Sequence, residues 1–159
     1  MEKLPLAEQM AQFEQRCRAL ALRMTPQRLE IFRLLAGEAG HPTAEQLHQR
    51  LLAQMPTLSL DTVYRTLATL VTHGLVRRVV TAESQARFEV ALSEHHHLIC
   101  RRCHKIVDCC WPQLDSAALP LPADWGRLDC CTLTGYGLCR ACQQAETPAV
   151  APPEALKPP

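Results

Sequence analysis

The stretch 59-SLDTVYRTLATLVTHG-74, continued by 75-LVRRVVTAESQARFEV-90, decides how this chain folds. Ser59 supplies a capping oxygen, Gly74 a stop, and Val63, Leu67, Leu70 and Val71 recur between them at helical spacing. Thr62, Arg65, Thr66 and Thr69 then fall on the opposite, exposed side, with Tyr64 beside them. The residues 75–81 and 86–90 are β-rich and flank the polar turn 82–85, which spells a hairpin.

Upstream the chain reads as three more helices. An amphipathic stretch runs from Leu6 to about Leu22. In 25-TPQRLEIFRLLAG-37, Thr25 is an N-cap, Pro26 holds the first helical position, and Leu29, Phe32 and Leu35 share a face. In 43-TAEQLHQRLLAQM-55, Thr43 and Gln46 have capping-box spacing ahead of Leu47, Leu51 and Met55. Helices followed by a two-stranded hairpin form a winged helix-turn-helix, whose last helix enters the DNA major groove while the wing approaches the backbone. Arg28, Thr62, Tyr64 and Arg65 are the candidate DNA contacts of the helices, and Arg77 and Arg78 those of the wing. An arginine forks onto guanine, and a tyrosine hydroxyl reaches phosphate or base. The bland alternative is an amphipathic helix with a solvated polar face.

Charge permits a nucleic-acid partner without demanding one. Up to Val90 there are 11 Lys/Arg against 9 Asp/Glu, and over the whole chain 17 against 16. No apolar run approaches the ~18 residues of a membrane span, and the acidic start MEKLPLAEQM does not read as a signal peptide. The expectation is a cytoplasmic protein with no membrane partner.

Beyond residue 90 the texture changes to cysteines, prolines and short strands, expected at 98–100, 106–109 and 128–134, with a short helix before Pro120. The domains expected are 1–90, 91–144 and a disordered Pro/Ala-rich tail 145–159. Eight of the nine cysteines lie from residue 100 onward. In reducing cytosol, paired cysteines bind metal or do redox chemistry. Cys100-x-x-Cys103 and Cys139-x-x-Cys142 supply four thiolates suited to a closed, structural Zn²⁺ site. Cys109, Cys110, Cys130 and Cys131 read as buried small hydrophobes or substitute ligands. A thiol redox protein using the two pairs is a rival reading. A zinc hydrolase is another, but no H-E-x-x-H motif accompanies the candidate bases Glu89 and Glu94.

In 94-EHHHLICRRCHKIVDC-109, a tight hairpin turning at 100–103 sets His95 opposite Asp108 and His97 opposite Ile106. Side chains alternate across a strand. His95, His97 and Asp108 therefore share one face, and His96, Cys100 and Cys103 the other. Two sites follow: thiolates for zinc, and a nitrogen/oxygen set for Fe²⁺, Mn²⁺ or Zn²⁺. A solvated histidine cluster is the alternative. His96 is not expected to be a ligand of the second site.

In order, R-x-T-P-Q-R at 23–28, H-P-T-A-E at 41–45, T-V-Y-R-T-L at 62–67, R-F-E at 87–89, H-H-H-L-I-C-x-x-C, K-I-V-D at 105–108 and G-x-C-x-x-C at 137–142 closely resemble the ferric uptake regulator (Fur) family of bacterial metal-dependent repressors. The resemblance covers roughly residues 6 to 143. It implies an α+β fold, with an N-terminal winged-helix domain and a small C-terminal α/β dimerisation domain carrying structural zinc at Cys100, Cys103, Cys139 and Cys142. It further implies a homodimer on a palindromic, AT-rich double-stranded operator, and no enzymatic activity. The regulatory ligands map to His41, Glu89, His95, His97 and Asp108, of which His41 and Glu89 come from the resemblance alone. K-I-V-D and the H-P-T-A context are similar to the peroxide-sensing branch, in which iron-catalysed oxidation would fall on His41 or His95. Glu89 is the residue of iron-uptake members, and iron- or zinc-uptake repression is the alternative. Cys131 stands near where iron-uptake members place a histidine of a further site.

Overall fold

In a computed structural model of the chain, the structure describes residues 4–38, 40–79, 81, 85–91, 95–115, 120–128 and 131–146. Four helices open the fold: α1 (Leu6–Ala19), α2 (Pro26–Gly37), α3 (Ala44–Leu51) and α4 (Leu60–Thr72). Their ends are written in the sequence. Thr25 Oγ1 accepts from Arg28 N, Thr43 and Gln46 form a reciprocal capping box, and Ser59 Oγ accepts from Thr62 N. At the other end of α4, Gly74 (φ +64°) lets Leu75 N donate back to Leu70 O at 2.9 Å, a turn that ends the helix and aims the chain into the wing. α1 stops at Ala19 and α3 at Leu51, earlier than the expected 22 and 55.

These helices enclose one apolar core. Phe13 stacks on Phe32 with ring centroids 3.8 Å apart, and Ile31, Leu47, Val63, Leu67 and Leu70 are sealed from solvent. Each such side chain contributes about 1.5–3 kcal/mol on burial. The wing pairs β1 (Val76–Val79) with β2 (Arg87–Val90) antiparallel. One wing face carries Val76 and Phe88 into the helical core. The other carries Val79, which packs with Ile99 and Ile106 of the second sheet.

That sheet has the order β4–β3–β5: β3 (His96–Cys100), β4 (Ile106–Cys109) antiparallel to it, and β5 (Thr134–Gly137) parallel. Two short helices, α5 (Pro112–Asp115) and α6 (Arg140–Glu146), complete the elements among the described residues.

Three expectations change here. The last strand is 134–137, not 128–134, although two of the four residues in T-G-Y-G are glycines, which strands disfavour. Gly135 lies opposite Leu98, and a Cβ there would come within 2.8 Å of Leu98 Cδ2, so a larger residue would have to displace the Leu98 side chain. α6 extends to Glu146, so residues 145 and 146 are helical rather than tail, and the rest of the expected tail lies outside the described residues. The hairpin register is also offset: His97 pairs with Asp108 and Ile99 with Ile106. Cys100 N donates to Lys105 O at 2.9 Å, so the turn spans four residues, which the knuckle needs to bend around its sulfurs. A two-residue offset keeps every side chain on its face. The partition of His95, His97 and Asp108 from His96 and Cys100 therefore survives.

Candidate metal centres and nucleic-acid interface

The first centre joins the two halves of the molecule. His41 precedes α3, Glu89 lies on β2, His95 and His97 lie at and on β3, and Asp108 lies on β4. Their ligand atoms all fall within 4.8 Å of one another. His41, His95 and His97 set their Nε2 atoms 2.9, 2.9 and 3.0 Å from the same Glu89 Oε2. Asp108 Oδ1 stands 2.9 Å from His41 and 3.9 and 3.8 Å from His95 and His97. The three histidines and Glu89 are buried, while Asp108 keeps a third of its side chain exposed.

Burial alone would push the Glu89 carboxyl up; the hydrogen bonds from His41 and His97 and the charge and hydrogen bond of His95 pull it well below the usual carboxylate range. Three imidazole nitrogens aimed at one oxygen is more than a carboxylate needs. Glu89 Oε1 and His41 Nδ1 meanwhile stay buried with no hydrogen-bond partner among the described residues. A cation accounts for the convergence. Two ligands each about 2.1 Å from a common ion stand about 3.0 Å apart at right angles, close to the separations of Glu89 from the three histidines and of Asp108 from His41. His41 is held with φ +50° immediately before Pro42, a conformation that non-glycine residues rarely adopt.

The second centre gathers Cys100, Cys103, Cys139 and Cys142, with all four sulfurs within 4.8 Å. Cys103 Sγ and Cys139 Sγ lie 3.7 Å apart. That is far beyond a disulfide bond, and it is close to the roughly 3.8 Å edge of a tetrahedron with Zn–S bonds of about 2.3 Å. The amide of Cys139 donates to Cys100 Sγ at 3.3 Å. Backbone amides, that of Cys103 foremost, draw the Cys100 thiol down to about 5, and the Cys142 amide lowers Cys139. Cys142, crowded by Cys139 above all, is pushed up to about 12. Four adjacent sulfurs cannot all ionise unaided, and a dication removes the conflict.

Cys109, Cys110 and Cys131 stay outside both clusters. Cys110 and Cys131 are exposed, contrary to the buried role expected, because the segments beyond β4 and before β5 run along the surface; Cys109 is half-buried and Cys130 lies outside the described residues. His96 points away from the first centre. It stacks on Trp111 at 5.3 Å, and its Nδ1 accepts from Leu133 N at 3.1 Å.

On α4, Tyr64 and Arg65 are exposed, but Thr62, Thr66 and Thr69 are half-buried. Thr62 Oγ1 bonds Ser59 Oγ, and Thr69 Oγ1 donates back to Arg65 O. Arg28 donates to the Arg23 carbonyl. Arg77 and Arg78 occupy opposite faces of β1, with Arg77 paired across to Glu89 and Arg78 to Phe88. Two carboxylates absent from the sequence reading share the α4 surface: Glu45 accepts from the Tyr64 hydroxyl, and Asp61 Oδ2 lies 3.0 Å from Arg65 Nε. The i,i+4 spacing of Asp61 and Arg65 was a readable signal; the Glu45 contact joins two helices and left none.

Residues 19–126 match the model of the Ferric uptake regulator family. The peroxide operon regulator of Bacillus subtilis is 34% identical over 126 residues, 79% of this chain and 87% of the relative. A peroxide-responsive repressor of Staphylococcus epidermidis is 32% identical over 133 residues, 80% and 85% of the two chains. Among solved structures, the Helicobacter pylori ferric uptake regulator, with three functional metal binding sites, superposes with a TM-score of 0.71 at 22% identity, over 92% of this chain and 99% of that one. A zinc uptake regulator complexed with zinc and DNA gives 0.63 at 26% identity, over 91% and 99%.

Proposed function

Since this chain belongs to the ferric uptake regulator family, we propose that it is a metal-dependent, peroxide-responsive repressor, a regulator of transcription rather than an enzyme. It acts in the cytoplasm as a homodimer on a palindromic, AT-rich operator. No described helix is long and apolar enough to cross a membrane. The observation that carries the reading is the five-ligand centre. Its donors come from the helical unit and wing on one side, His41 and Glu89, and from the second sheet on the other, His95, His97 and Asp108. An ion held there ties the two units together at a boundary near Val90. It would favour one spacing of the dimer's two α4 helices, and DNA with matching half-sites selects that state.

Three imidazole nitrogens and two carboxylates suit Fe²⁺ or Mn²⁺, with Zn²⁺ also accepted; Cys100, Cys103, Cys139 and Cys142 hold a structural Zn²⁺. Arg28, Thr62, Tyr64 and Arg65 form the reading surface and Arg78 a backbone contact. Arg77, on the wing face that bears Glu89, serves DNA less directly. The peroxide response rests on the relatives' identity and on Asp108. With Fe²⁺ bound, hydrogen peroxide would transfer one oxygen atom to the imidazole carbon of His41 or His95, leaving water. Mass spectrometry of the Fe²⁺ protein after peroxide should find one added oxygen on a peptide containing His41 or His95, with loss of DNA binding. Unmodified histidines in a protein that still holds DNA would remove the peroxide assignment and leave iron- or zinc-uptake repression as the second reading, supported by Glu89.

A further inference from the structure

The recognition surface carries two carboxylates where a DNA-binding surface needs cations. Glu45 and Asp61 face the same groove-directed end of α4 as Tyr64 and Arg65, and each holds one of them. Near phosphates such acids cost affinity, so their presence asks for a return in specificity.

Arg65 keeps its reading capacity in this arrangement. Asp61 takes Nε–H, and the two terminal nitrogens remain for a bidentate contact. Tyr64 is changed more. A phenol has one hydrogen to donate and lone pairs to accept with. The Tyr64 hydroxyl spends its hydrogen on Glu45 Oε1, so toward solvent it offers lone pairs only. Hydrogen bonding to Tyr64 holds the Glu45 carboxyl below its ordinary range, and the same bond raises the Tyr64 phenol, so both stay in the states this contact requires at neutral pH. Tyr64 is exposed and Glu45 half-buried, its backbone set in the first turn of α3 by the Thr43–Gln46 capping box.

We propose that Glu45 is a specificity-determining residue that fixes the Tyr64 hydroxyl as a hydrogen-bond acceptor, so that Tyr64 reads an amino group in the major groove, adenine N6 or cytosine N4. Phosphate oxygens, thymine O4 and guanine O6 and N7 are acceptors themselves and cannot pair with it. In an AT-rich operator the base read is adenine. The inference rests on the DNA-binding reading above and deepens it.

The test uses the full-length, Mn²⁺-loaded dimer and an operator selected by the wild-type protein from a pool of random palindromes. Recovery of no sequence would sink the DNA-binding reading itself, apart from the question about Tyr64. With an operator in hand, binding is measured by fluorescence anisotropy for every single-position symmetric substitution, with wild type, Glu45→Ala, Glu45→Gln and Tyr64→Phe. One symmetric pair of positions should prefer adenine or cytosine over thymine or guanine by roughly five- to thirtyfold. Replacing that adenine by purine, which lacks only the amino group, should lose the same factor, and Tyr64→Phe should abolish the preference. Glu45→Ala frees the hydroxyl to donate, so thymine or guanine becomes acceptable there while overall affinity rises. Glu45→Gln, whose amide oxygen still accepts from Tyr64, should keep the preference, which separates hydrogen-bond polarity from charge. A purely structural Glu45 would lower affinity equally for every sequence. The proposal is overturned if the Glu45→Ala preferences match wild type at all positions, or if purine substitutes for adenine without loss throughout.

Discussion

Glu89 Oε2 is the atom on which three histidines converge, so single substitutions there separate a metal centre from a buried polar cluster. Removing the carboxylate from a metal site costs about 10–100-fold in affinity for changes even at supporting residues, and more at a ligand. Glu89→Ala should therefore weaken Mn²⁺ binding by at least about 100-fold in isothermal titration; unchanged affinity would show that Glu89 is not a ligand of the bound ion. The structural site behaves differently. Cys100→Ser should release one zinc per chain, measured by a chromogenic chelator, and unfold the second sheet, because metal-binding energy there is folding energy. A Cys100→Ser protein with full zinc and unchanged unfolding would contradict the four-sulfur assignment. The thiolates and the His95–His97–Asp108 face were legible because i,i+3 cysteines and strand alternation are local rules. Glu89 and His41 were not readable from local spacing, since 48 residues separate them; only the family resemblance supplied them.

At the scale of elements, local chemistry explains the helical unit well. The capping box at α3 and the apolar stripe of α4 follow from the sequence, and each can be weighed. Thr43→Ala should cost about 1 kcal/mol and Leu67→Ala about 2–5 kcal/mol in urea unfolding. If Leu67→Ala cost under half a kcal/mol, the stripe would not be the core. β5 and the four-residue knuckle resisted the same reasoning. Gly135 of β5 sits against Leu98, and the knuckle's length follows sulfur geometry; both are tertiary facts.

The whole molecule depends on how its two units communicate. Arg16 Nη2 donates to Gly74 O at 2.8 Å, and Nη1 to Ala91 O at 3.4 Å. One guanidinium thus ties the end of α4 to the end of β2, two residues beyond Glu89. Arg16→Ala should lower the factor by which metal strengthens DNA binding by about fivefold, while Mn²⁺ affinity without DNA stays near wild type. An unchanged factor would make Arg16 a local brace only. The most direct test of the account is operator affinity by anisotropy with chelator and then with saturating Mn²⁺, in wild type and in Glu89→Ala. The account predicts at least about tenfold tighter binding with metal in wild type and no metal effect in the variant. Equal wild-type affinity in both conditions, or a metal effect that survives in Glu89→Ala, would contradict it.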